Sequence, residues 1–129
     1  IVASVGEESG EVPYTAFCAK RSYLSKNRDT AKLFLSAVRE GYDFIVNNDS
    51  KTVAKSLAPS FSGTSEESLA TAVESYLAID AWCSSPVMTE ESLDRLQEIM
   101  RNAGELEKEA EFDRIVDNGI AEETEKEEK

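Results

Sequence analysis

No histidine occurs anywhere in the 129 residues. Its absence removes the commonest general base, the usual partner of a serine or cysteine nucleophile, and a standard zinc ligand. Cysteine is almost as scarce. Cys18 and Cys83 stand far apart and form no metal-type pair; a disulfide cannot be inferred from their spacing, and two buried thiols are the expectation. Basic residues are few, 14 Lys and Arg against 26 Asp and Glu, for a net charge of −12. Nucleic-acid binding needs a basic face, and none is visible, so no nucleic-acid partner is expected. No apolar run approaches the ~20 residues that span a bilayer, and no signal-peptide pattern is read in these residues, which says nothing of where a longer parent goes. The chain does not begin with Met, and it is expected to be a piece of a longer precursor. Phosphate cradles are missing too. The stretch "GEESGEVPYT" has two glycines but no Lys-Ser/Thr ending and no helix directly behind it.

What is present reads as helix over most of the length. "RDTAKLFLSAVREGYDFIVNN" places Leu33, Phe34, Ala37, Val38, Tyr42, Ile45 and Val46 at three- and four-residue spacing, the pattern of one broad apolar face on a long helix. Asp49 is the expected N-cap of "SKTVAKSLA", closed by Pro59. Thr64 and Glu67 stand in capping-box spacing ahead of a helix with the face Leu69, Ala72, Val73, Tyr76, Leu77 and Ala81. Thr89 should cap "EESLDRLQEIMRNAG", with Leu93, Leu96, Ile99 and Met100 inward and Gly104 at the stop. A short amphipathic piece, "FDRIVDNGI", comes last. The acid pairs Glu66/Glu67 and Glu90/Glu91 fall where first turns are expected, and there they favour the helix dipole rather than carry chemistry. Gly104–Lys129 holds eleven acids and four bases, a net of −7; residues 122–129 are expected to be an acidic, disordered tail behind a domain over 1–121.

The opening residues have a different pattern. "IVASV" and "YTAFCA" are β-branched or aromatic with small residues between, bounded by Gly and Pro, as short strands are. Two strands alone are marginal in water, so they would need partners outside this sequence. The loop between them offers a hydroxyl at Ser9, backbone freedom at Gly10, an acid at Glu11 and, after Pro13, the polar-tipped aromatic Tyr14. Such a loop is either an ordinary surface turn or a place for ligand contacts. Trp82 is similarly open between a packed indole and a stacking platform.

"SGEVPYTAFCAKRSYLSKN", "IDAWCSSPVMTEESLDRLQEIMRNAGELE" and "FDRIVDNGIAEE" together resemble the C-terminal part of substrate-binding proteins of ABC importers. The branch is the one with thiamine-pyrimidine-synthesis-like, nitrate, sulfonate and taurine binders. The resemblance implies an α/β fragment, two strands plus about five helices, from a bilobed fold of the periplasmic-binding-protein type II class. It further implies a non-enzymatic, extracytoplasmic solute receptor, periplasmic or a lipoprotein, without cofactor, that serves an ABC permease. The solute would be a small molecule such as a thiamine-precursor pyrimidine, a sulfonate, taurine or nitrate, with Ser9, Gly10, Glu11 and Tyr14 near it. Relatives that build the pyrimidine sacrifice a histidine, which this segment lacks. The other expectation is a free-standing helical interaction domain. If the fragment folds alone, unpaired strand edges would favour a homodimer.

Overall fold

The computed structural model describes residues 8–127. Among them are seven α-helices and no strand. They are α1 (Arg21–Leu24), α2 (Arg28–Asn47), α3 (Ser50–Leu57), α4 (Glu66–Ala78), α5 (Glu90–Asn102), α6 (Phe112–Ile115) and α7 (Gly119–Glu127), with a 3-10 turn at Ala58–Ser60.

The absence of strands corrects two expectations. Strand-plus-helix architecture is not supported, and with it falls the resemblance to a type II periplasmic-binding-protein fragment of the ABC-importer receptors. "IVASV" lies outside the described residues. "YTAFCA" is inside them and is not a strand. The physical reason is local. The Tyr14 N–H donates to the Val12 carbonyl at 2.9 Å, closing a tight turn over Pro13, and among the described residues no neighbouring strand is present to ladder with residues 15–19. Homodimerisation through strand edges loses its premise for the same reason.

Two compact units divide the chain, residues 36–84 and a second built from the segments before and after them.

In the 36–84 unit, α3 and α4 form a helical hairpin. Asp49 caps α3, its carboxylate accepting from the Lys51 and Thr52 N–H groups at 3.1 and 3.0 Å. The Thr52 hydroxyl donates to the same carboxylate, and this bond above all lowers the Asp49 pKa. The α4 cap is one residue later than the spacing predicts: Ser65, not Thr64, accepts from the Ser68 N–H at 3.2 Å. Thr64 is already committed, its N–H closing a turn onto the Phe61 carbonyl at 3.1 Å. Glu66 and Glu67 fall in the first turn, as the dipole prefers. Ala54, Leu69 and Ala70 form the core with Leu57 and Ala58 against them, and Val53 and Val73 are buried as well. At its far end α4 closes in a Schellman arrangement, Ala81 N–H to Tyr76 carbonyl and Asp80 N–H to Leu77 carbonyl. Asp80 takes the left-handed position there, at φ 50°.

The other unit has a smaller apolar core and more polar fastening. Thr89 caps α5, accepting from the Ser92 N–H at 3.2 Å, and Gly104 ends it at φ 77° in a second Schellman arrangement. On α5 Leu93 is buried with Ser92 and Gln97, whereas Ile99 faces outward, contrary to its predicted place. Two side-chain amides each clasp both the backbone N–H and the backbone carbonyl of one residue. Gln97 accepts from the Ala110 N–H at 2.6 Å and donates to the Ala110 carbonyl at 3.2 Å. Asn118 does the same with Met88, at 3.1 and 2.8 Å. Residues 122–127, where a solvated tail is expected, continue α7. Ile120, Ala121 and Thr124 are buried on its inner face, and the Glu125 carboxylate accepts from the Ser85 hydroxyl at 2.6 Å.

Candidate functional site

The Ser9–Tyr14 stretch, singled out from the sequence, is fastened by one side chain; Glu8 and Ser9 are helical and the loop proper follows them. Arg95, two turns into α5, donates from Nη1 to the Glu11 carbonyl at 3.0 Å and from Nη2 to the Glu91 carboxylate at 2.9 Å. Glu91 and Arg95 are i,i+4 neighbours, so the helix itself aims the guanidinium. Gly10 passes directly over it at φ 69°, where a Cβ would stand 3.1 Å from Arg95 Nη1. The backbone angle favours glycine there, and a Cβ would also have to displace the guanidinium slightly. The half-buried Ser9 donates its hydroxyl to the Gly10 carbonyl at 3.1 Å.

Two of the four expected site residues, Gly10 and Glu11, therefore lie against Arg95, and Ser9 is tied to Gly10. Tyr14 stands apart, 90% exposed. The guanidinium is engaged by Glu91 and Glu11, so its role in this arrangement is to hold the loop. Arg95 was not a sequence candidate. Its ion pair with Glu91 was legible from the spacing, but its reach to a loop 84 residues earlier was not.

Other chemistry-bearing groups lie elsewhere. Glu123 is held by Arg28 and Lys32, the latter at 3.0 Å. Hydrogen bonds from Arg28 first and Lys32 second lower its pKa to about 2. Cys18 and Cys83 are both exposed and not joined to one another, contrary to the expected buried thiols. Trp82 is half-buried, its ring 5.3 Å from that of Tyr76 and tilted by 36°, and Arg39 lies 5.8 Å from the Tyr42 ring. No group of three or more Cys, Asp or Glu with metal-holding geometry occurs among the described residues, and no helix there is long and apolar enough to cross a membrane. Two shallow clefts are away from the loop. One of about 250 Å³ lies along Ser25–Thr30, and one of about 390 Å³ lies between Lys51 and the Glu66–Glu74 face of α4.

No family model matches the chain, and no solved structure matches it significantly. The chain is similar to a Bacillus subtilis (strain 168) protein described as "Putative binding protein YtlA", with 39% identity over 122 residues. The alignment takes in 95% of this chain but 36% of that relative. The chain thus spans about a third of the length of the curated relative it matches.

Proposed function

We propose that this chain is part of a longer binding protein that captures a small-molecule solute and passes it to an ABC permease, outside the cytoplasm and without chemical turnover. The observation that carries the reading is 39% identity, over nearly all of this chain, to a protein whose printed description is a binding protein. In support, the loop chosen as a contact candidate is held in a defined conformation by Arg95 and leaves the Tyr14 phenol open to solvent. An exposed aromatic with a polar tip suits a small polar or aromatic solute. A thiamine-precursor pyrimidine, a sulfonate, taurine and nitrate remain the solutes to try.

Isothermal titration tests it. The full-length gene product that carries this chain is titrated against aminopyrimidines, alkanesulfonates, taurine and nitrate, beside the 129-residue chain. Saturable binding of one solute class by the full-length product, weakened by Tyr14→Ala, is the expected result. Failure of every class to bind, or release of a chemically altered product, overturns the proposal.

A further inference from the structure

Asn118 is the one asparagine in the 129 residues that a glycine follows. Such a pair is chemically vulnerable, because glycine puts no side chain in the way of its own backbone nitrogen, which can attack the asparagine carboxamide. Here that carboxamide is a structural fastener. Its oxygen accepts from the Met88 N–H at 3.1 Å, and its nitrogen donates to the Met88 carbonyl at 2.8 Å. The Asn118 carbonyl meanwhile accepts from the Glu122 N–H at 2.9 Å, the first bond of α7. Gly119 donates its own N–H to Asp117 Oδ1 at 3.1 Å. Both reaction partners are therefore engaged, the carboxamide at its two ends and the nitrogen through its proton. Asn118 and Gly119 are half-buried, Ile120 and Ala121 behind them are buried, and all these residues belong to one compact unit.

We propose that Asn118–Gly119 is a deamidation site gated by opening of the start of α7, and that the reaction releases the Met88 clasp permanently. In the chemical step the Gly119 nitrogen forms a bond to Asn118 Cγ, the Cγ–Nδ2 bond breaks, and the Gly119 amide proton leaves with the departing nitrogen as ammonia. Water then opens the resulting succinimide ring at one of its two carbonyls, which gives aspartate or isoaspartate. The net change is carboxamide plus water to carboxylic acid plus ammonia, with nothing oxidised or reduced. The closed structure opposes the attack twice. Bonds to both ends of the carboxamide stop Cγ from turning toward Gly119, and the Asp117 carboxylate beside the Gly119 N–H disfavours the deprotonated nitrogen that attacks. Reaction therefore proceeds from the locally opened chain. Its product cannot rebuild the clasp. A carboxylate has no N–H to give the Met88 carbonyl, and isoaspartate adds a methylene to the main chain at the residue whose carbonyl begins α7. None of this depends on which solute the longer protein takes.

The full-length gene product is incubated at mildly alkaline pH, folded and in urea, and the proteolytic peptide that carries Asn118 is followed by mass spectrometry. Deamidation is expected at Asn118 in urea, and roughly tenfold or more slowly in the folded protein. Ile120→Ala removes a buried side chain of α7 and leaves the Asn-Gly pair intact. It should speed the folded-state reaction without changing the rate in urea. Gly119→Ala should slow the reaction in both states, since the added methyl crowds the attacking nitrogen. Asn118→Asp stands for the product, and its Glu122 amide should exchange hydrogen at least about fivefold faster than in the unaltered protein. Equal rates in the folded and the urea-unfolded protein overturn the gating, as does an Asn118 that stays intact in both. Unchanged exchange in Asn118→Asp overturns the release. Should Ile120→Ala fail to fold, the folded-against-urea comparison and Asn118→Asp still decide.

Discussion

The two units are held together by different physics. Residues 36–84 are one continuous stretch in which neighbouring helices pack apolar side chains, Ala54, Leu69 and Ala70, across a short connection. The other unit joins segments 80 or more residues apart: Arg95 to Glu11, Arg28 to Glu123, and the Arg21 guanidinium to the Arg114 carbonyl at 2.7 Å. It relies on two amide clasps where the first unit relies on a core. The contrast shows that proximity in sequence lets the hydrophobic effect do most of the work, whereas distant segments of a highly charged chain are fastened by directional bonds.

The comparison is broken or sharpened most strongly by Leu69→Ala. It removes a buried side chain between α3 and α4 and should cost about 2–4 kcal/mol in urea unfolding followed by helical circular dichroism. A cost well under that would mean the hairpin core is not what holds this unit. Next comes Gln97→Ala, which strands the Ala110 N–H and carbonyl. About 1–3 kcal/mol should be lost, and hydrogen exchange at the Ala110 amide should accelerate. Unchanged exchange there would show that the clasp does not fasten the segment. Asp80→Gly should act in the opposite direction. It relieves a left-handed aspartate at the end of α4 and should stabilise by up to about 1 kcal/mol; an unchanged urea midpoint would deny any strain there.

The smallest effect is a pH dependence. The folded-state pKa of Glu123 is lowered from 4.5 to about 2 by Arg28 and Lys32. Its carboxylate therefore binds protons less readily in the folded than in the unfolded chain. Its contribution is complete above about 4.5 and disappears as pH falls toward about 2. Glu123 is a surface group, so the gain is modest. A urea midpoint that falls across this window in the native chain, and falls less in Glu123→Gln, is the expected result. Identical profiles would leave α7 held by its buried inner face and the Ser85–Glu125 bond.

Much of the helical layout was legible because helix signals are local. The limits of α2, the caps at Asp49 and Thr89, the acids in the first turns and the stop at Gly104 all depend on residues within a turn of one another. The Thr64 assignment missed by one residue because a preceding turn had claimed that backbone. Strand assignments for "YTAFCA" failed for a different reason. β-propensity describes a fit to a neighbouring strand, and none is present among the described residues. Gly10 and Glu11 lie in a loop as read, with Ser9 helical just before them, but Arg95, Gln97 and Asn118 were not found, since nothing near them in sequence reveals the backbone groups each one reaches.

By itself, then, the sequence determined where most helices begin and end, the acidic character and the lack of histidine, all properties of single residues or of neighbours within a few positions. Only the tertiary structure decided that the broad apolar face of α2 has no buried residue, that Cys18 and Cys83 are exposed, and that the loop at Gly10 rests on Arg95. Those outcomes depend on which distant segment arrives at a given surface, and a side chain's burial or bonding is a property of that encounter rather than of its own position in the chain.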